Sequence, residues 1–217
     1  DSDASGTIIS PEVRPGLMHR SAEKLFEARD FRQIMMLANR HDWLSGVSSE
    51  LGVALAVEKA TGIVPPARAT WSRMLLAEAG RIGASALLLG ARGAPGALAL
   101  REAWVDWQER ATGGRVHPMI NRIGGLEQAL PGSSLIQIIE LVSLAQQYAT
   151  SWMEYIDECT DRHGLARLDH HTARTFACSG AVGHASGVDW DIRRDDPYLA
   201  YNEIDVDWST PVLTQGD

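Results

Sequence analysis

Between Met18 and Trp71 apolar residues recur at helical spacing, and that recurrence constrains the fold more than anything else in the chain. Ala22, Leu25, Phe26 and Arg29 share one helical face, as do Ile34, Leu37 and Ala38, and then Leu51, Leu55, Val57 and Ala60. Each such stripe must be covered, so these segments pack on one another. Between the last two runs stands a polar knot, Asn39-Arg40-His41-Asp42-Trp43. A charged, aromatic corner between two packed helices can build a site.

The spacing predicts helices over 19–29, 31–39 and 47–61, with Gly62 as a stop and Pro65-Pro66 opening the next element. A helix over 67–89 follows, with Trp71, Leu75, Ala79, Ile82 and Ala86 on one face, and Gly80 and Gly83 permitting close approach of a neighbour. Residues 90–97 form a loop, 98–112 a helix, and Thr112-Gly113-Gly114-Arg115 a turn. After a stretch broken by Pro118, Gly124, Gly125 and Pro131, Ser133 or Ser134 is expected to cap the longest helix, ending near His163. Its expected inner face is Leu135, Ile138, Ile139, Val142, Ala145, Ala149, Trp152 and Ile156. A shorter helix covers 169–177. The organisation expected is a loose arm (1–17), an all-α helical bundle (18–178) and an irregular C-terminal segment packed on it (179–217).

Net charge is −8 and the pI about 5.3. Without a basic field, nucleic acid and anionic membranes are disfavoured as partners. No apolar run approaches the ~20 residues of a membrane span; Ala84 to Leu89 is too short. No secretory signal opens the chain, which begins at Asp1 without Met, so processing or trimming stays open. Cys159 and Cys178 form no CxxC, and in the cytoplasmic protein expected here they are free, buried thiols.

Two groups stand out as candidate catalytic residues. Asp42 beside His41 can fix a tautomer or tune a general acid, with Trp43 as a wall; the alternative has Asp42 capping the next helix and Trp43 filling core. Arg115, His117 and Arg122 form a cationic set that can polarise a carbonyl or hold a carboxylate, or else a structural network with Glu78 or Asp106. Glu58, Arg73, Glu78 and Arg81 read as buried ion pairs between helices. Trp104 and Trp107, three apart on one helix, can line a pocket or pack; Trp71 and Trp152 read as core. Cys159 and His163 at i,i+4 with His170-His171 make a poor metal set. Arg92-Gly93-Ala94-Pro95-Gly96 is a turn, not a phosphate loop.

Longer runs carry a resemblance. They are Met18-His19-Arg20-x-Ala22-Glu23-Lys24-Leu25-Phe26-Glu27-Ala28-Arg29-Asp30, Met36 to Ser45, Glu50-Leu51-Gly52-Val53 and Leu55-Ala56-Val57-Glu58. Further pieces are Arg73-x-Leu75-Leu76-Ala77-Glu78-x-x-Arg81, Thr112 to His117, Arg122-x-Gly124-Gly125, Ala185 to Asp191 and Arg193 to Tyr201. Over most of residues 14–205 the chain resembles the D subunit of NADH-quinone oxidoreductase (respiratory complex I) in its actinobacterial form. That family descends from the large subunit of nickel-iron hydrogenases, whose nickel-binding cysteine pairs have no counterpart here.

The resemblance implies a long apolar cleft shaped for a quinone tail, with departures. The family's Gly-Pro-x-His-Pro hairpin lies before this chain's start, and its Gly-Asp-Cys motif and C-terminal half lie after its end. The family tyrosine that follows Arg-x-Asp is Trp43, a donor without an acidic hydroxyl. An Asn-His pair is replaced by Ala84-Ser85, and an Arg by His184. Arg20 and His117 match family residues near a partner's iron–sulfur cluster. The expectation is a stand-alone homologue that binds an apolar small molecule in the former quinone cleft and catalyses a cofactor-free cyclisation or isomerisation. His41, Asp42, Arg115 and His117 would act there, with Trp43, Trp104, Trp107 and Arg122 as walls and contacts. No flavin, iron–sulfur, nickel or haem is expected as its own cofactor. The alternatives are a quinone-site subunit with complex I-type partners, or a non-catalytic carrier or assembly protein; homo-oligomerisation stays open.

Overall fold

The computed structural model describes residues 3–158, 164 and 167–206. Six helices follow one another: α1 (Ala22–Ala28), α2 (Phe31–His41), α3 (Gly46–Thr61), α4 (Ala67–Ala91), α5 (Ala97–Thr112) and α6 (Gly132–Glu158). Short helices α7 (His170–Thr175), α8 (Gly180–Ala185) and α9 (Ile192–Asp195) come after. The fold is mostly α, and the main boundaries follow the punctuation of the sequence. Asp30 caps α2, its carboxylate accepting from the N–H groups of Arg32 (2.9 Å) and Gln33 (3.0 Å). Gly62 ends α3 in a left-handed conformation, φ 69°.

Two features depart from expectation. Residues 121–126 form a small antiparallel hairpin, β1 (Asn121–Arg122) with β2 (Gly125–Leu126), in which Asn121 faces Leu126 and Arg122 faces Gly125. Two-residue strands are too short to show alternation. The C-terminal segment, expected to be irregular, contains α8 and α9.

α2 packs on α3, α3 on α4, α4 on α5 and α5 on α6, so the chain forms an array with α6 at one edge. The larger core runs through it, with Leu76, Leu100, Trp104, Trp107, Ile120 and Ile138 among its buried members, and a smaller one joins Met74 to Ala200 and Tyr201. Gly83 sets the α4–α5 distance: a Cβ there would lie 2.5 Å from the Trp104 ring, so only hydrogen fits.

Two polar clamps cross the array. Arg73, fully buried, donates to both oxygens of Glu58 (2.7 and 2.9 Å) and to the carbonyls of Arg122 (2.6 Å) and Gly125 (2.8 Å). The Gly124 N–H also meets Glu58, at 2.7 Å. α3, α4 and the hairpin are thus joined through one ion pair whose remaining hydrogen-bonding capacity is satisfied, the condition under which burying two charges is tolerated. The second clamp fixes the C-terminal segment. Glu78 accepts from Tyr201 Oη, Arg193 (3.3 Å) and Arg81, and Asp191 holds Arg193 at 2.5 Å. That bond to Arg193 draws the Asp191 carboxyl down to about 2. Glu58 and Arg73 form the expected buried pair; Glu78 and Arg81 instead pair along one helix at a half-exposed site.

Three expectations need correction. α6 begins at Gly132, so Ser133 and Ser134 lie in its first turn rather than capping it. Of its expected inner face, Leu135, Ile139, Val142, Ala149 and Ile156 are exposed and Ile138 is buried; Leu141, outside that expected face, is buried too. The apolar stripe is wider than the groove available on α5 and α4. Trp71, read as core, is 42% exposed. It stands near the start of α4, ahead of that helix's buried length. α4 itself is long and apolar enough to cross a membrane by length and composition alone. It also carries the fully buried Arg73 and packs against α3 and α5, as the core helix of this array does.

Candidate functional site

The polar knot sits where α2 gives way to α3. Asp42 closes α2 with its backbone N–H on the Ala38 carbonyl (3.5 Å), and Trp43–Ser45 make one 3-10 turn before α3. His41 and Asp42 are exposed, and the Trp43 indole is 53% exposed. Neither half of the bland alternative holds: Trp43 does not fill core, and the Asp42 side chain caps no helix. Among the described residues no hydrogen bond joins Asp42 to His41. The corner is an open surface with an imidazole, a carboxylate and an indole side by side.

Beneath it lies a buried polar group that was not singled out among the candidate residues. Asn39 (0% exposed) donates through Nδ2 to Glu50 Oε1. Asn121 donates to Glu50 Oε2 through its backbone N–H (3.1 Å) and Nδ2 (3.2 Å), and Nδ2 also reaches the Val47 carbonyl at 3.3 Å. Among the described residues Glu50 is thus held by neutral donors and forms no ion pair. Burial pushes its carboxyl up, and the hydrogen bonds from Asn121, Met119 and Asn39 only partly oppose this. Gly46 makes the arrangement possible, because a Cβ there would lie 2.8 Å from Asn39 Nδ2.

Glu50 and Asn121 border a cavity of about 460 Å³ whose other walls include Met35, Met36, Met119 and Ile123, with Arg32 and Arg122 also on its lining. Thioether side chains adapt to irregular apolar shapes. Met119 holds a left-handed backbone, φ 45°, a strained state for a residue with a Cβ, at about 1–3 kcal/mol. His117 is half-buried near Asn39 and Arg40. Its Nδ1 has no hydrogen-bond partner among the described residues, and burial, helped by the Arg40 charge, pulls its pKa down. A neutral imidazole there can accept a proton or a hydrogen bond.

Both arginines of the cationic set are held by carboxylates. Arg115 pairs with Glu102 (2.5 Å) and Glu109 (3.4 Å), and Arg122 with Glu127 (2.6 Å). The network expected with Glu78 or Asp106 is built from other carboxylates, because those two bind Arg193 and Arg110. Trp104 and Trp107 are each 4% exposed, in the core. Trp107 donates to the Ser134 carbonyl at 2.9 Å, and Trp104 lies under the Arg101 guanidinium, 4.9 Å from its ring centre. Neither borders the corner or the Glu50 cavity. Trp152 is half-buried and donates to the Pro95 carbonyl at 2.9 Å.

Among the described residues no group of three His, Cys, Asp or Glu side chains is placed to hold a metal ion. Cys178 is a free thiol, half-buried rather than buried; Cys159 and His163 lie outside the described residues.

Residues 94–217 match the family model of the respiratory-chain NADH dehydrogenase 49 kDa subunit. The chain is 42% identical to NADH-quinone oxidoreductase D subunit 1 of Streptomyces coelicolor, over 97% of this chain and 58% of that protein. It is 41% identical to D subunit 2 of Salinispora arenicola, over 96% and 56%. A third relative, D subunit 2 of Sinorhizobium medicae, is 36% identical over 92% and 52%. The chain spans little more than half the length of the curated relatives it matches.

Proposed function

Since the chain belongs to the family of the 49 kDa subunit of respiratory-chain NADH dehydrogenase, we propose that it serves as a D-type subunit of an NADH-quinone oxidoreductase assembly. In that assembly its Asn39–Trp43 corner is one wall of a quinone-headgroup site that a partner chain completes. One observation carries this reading: His41, Asp42 and the half-exposed Trp43 stand on open surface, with the buried Glu50 network holding the turn rigid below them. A wall that needs a facing partner has this form. Trp43 donates one N–H to a carbonyl oxygen and cannot release a proton at neutral pH, so the proton at the headgroup comes from the neighbouring His41. On this reading the chain is cytoplasmic and its redox centre belongs to the partner. The test is to co-express the tagged chain with the remaining subunits of a Streptomyces-type NADH-quinone oxidoreductase. Stoichiometric co-purification supports the reading; a chain recovered alone refutes it.

The cavity favours a second reading. A space of about 460 Å³ walled by methionine and isoleucine and bordered by a carboxyl group with a raised pKa suits an apolar small molecule and a cofactor-free cyclisation or isomerisation. Glu50 would move the proton in place of the His41, Asp42, Arg115 and His117 set expected from the sequence. Titration with geraniol tests it: binding that Met36→Trp abolishes supports a ligand cavity, and no binding removes this reading.

A further inference from the structure

The cavity beside Glu50 is built from α2, α3 and residues 119–123, and its buried end is one-sided in hydrogen bonding. Asn121 is 1% exposed there, and its Nδ2 lies against two acceptors, Glu50 Oε2 at 3.2 Å and the Val47 carbonyl at 3.3 Å. Turning the amide over would set its oxygen against both, so the network fixes which way it points. Oδ1 is thereby left buried with no hydrogen-bond partner among the described residues. Folded interiors leave few such acceptors unmet, and each one that remains calls for a donor.

No side chain around it supplies that donor. Asn39 Nδ2 and the Asn121 N–H are engaged by Glu50. Arg122 donates to the carbonyls of Met119 (2.5 Å) and Asn121 (2.9 Å) and pairs with Glu127 (2.6 Å). Arg32, its side chain 90% exposed, belongs to the rim rather than to the buried end. Met35, Met36, Met119 and Ile123 have no hydrogen to give.

We propose that Asn121 Oδ1 orients the ligand of this cavity, and that the ligand is an apolar alcohol whose hydroxyl donates to Oδ1 while its hydrocarbon lies among Met35, Met36, Met119 and Ile123. The inference rests on the reading of the cavity as a ligand site. A hydroxyl supplies the hydrogen that the buried end lacks. A ketone, aldehyde or ether brings a second acceptor against Oδ1 and leaves both unmet. A protonated amine could donate, but it would face the Arg32 and Arg122 charges on the same lining. At about 460 Å³ the space falls within the range of small-molecule pockets.

The test is calorimetric titration of the full chain with three molecules of one skeleton. Geraniol can donate; geranial, of nearly the same size, and geranyl methyl ether, slightly larger, cannot. The expected result is geraniol binding about tenfold or more tighter than both, the scale of one hydrogen bond to a stranded buried group. The same preference is expected in Glu50→Gln with unchanged circular dichroism, because the acceptor is Asn121. Equal affinity for all three, as when a water already satisfies Oδ1, overturns the inference and leaves the cavity as a ligand site. Geranial binding like geraniol while the ether fails also overturns it, since size then decides. A preference lost in Glu50→Gln overturns it by moving the acceptor to Glu50. No binding of any of the three removes the cavity reading and this inference with it.

Discussion

Glu50 Oε2 accepts two hydrogen bonds from Asn121, one from the backbone N–H at 3.1 Å and one from Nδ2 at 3.2 Å, across 71 residues of sequence. This contact ties α3 to the hairpin and, through Asn39, to α2. Glu50→Ala strands two buried asparagine donors and a backbone N–H. The expected cost is about 3–5 kcal/mol in urea unfolding, at roughly 1–3 kcal/mol per unsatisfied group with partial relaxation. Glu50→Gln is expected to cost less, because one oxygen still accepts.

The raised Glu50 pKa fixes a pH dependence. The unfolded carboxyl titrates near 4.5 and the folded one higher. Between those values the folded state binds more protons, so raising the pH lowers stability there, and the loss is complete above the folded value. The stability of the wild-type chain minus that of Glu50→Gln is therefore expected to fall as pH climbs from 4.5 and then level off. A difference that rises over that window contradicts the assignment.

Removing half of the buried pair between Glu58 and Arg73 is costly. Arg73→Met leaves a carboxylate 4% exposed without its cation and frees the carbonyls of Arg122 and Gly125. The expected loss is about 3–5 kcal/mol, with Glu58→Leu/Arg73→Met recovering part of it. Thermal unfolding of the two variants and the double variant gives the coupling.

Two glycines on helices should respond in opposite senses. A Cβ at Gly83 meets the Trp104 ring at 2.5 Å, whereas one at Gly52 in α3 meets nothing within 4 Å. Gly83→Ala is expected to destabilise by about 1–3 kcal/mol through overpacking. Gly52→Ala should stabilise by about 0.5–1 kcal/mol through helix propensity. Melting temperatures moving the same way would contradict the packing described.

The helices were legible because strong punctuation brackets them: Asp30 before α2, Gly62 and Pro65-Pro66 between α3 and α4, Gly113 after α5. The α6 contact face was not. Apolar residues cover more than half its circumference, and periodicity cannot say which part meets α5. The resemblance was legible from long matching runs, whereas the Glu50 network was overlooked. Its signal was present, since Glu50 lies three residues after Val47 and four before Ala54, on the buried face of α3. The partners of the cationic set were illegible for a different reason: Arg115 and Arg122 pair with Glu102 and Glu127, and spacing along the chain does not reveal which carboxylate an arginine meets.

The measurement that bears most directly on the central claim is photo-crosslinking from position 43. The chain, carrying a benzophenone side chain in place of Trp43, is assembled with the other subunits of an NADH-quinone oxidoreductase, and exposed Lys59 is replaced in the same way as a control. The expected result is an adduct to one partner chain from position 43 and little or none from position 59. No adduct from position 43, or equal adducts from both positions, would show that the Asn39–Trp43 corner is ordinary surface and not the wall of a shared site.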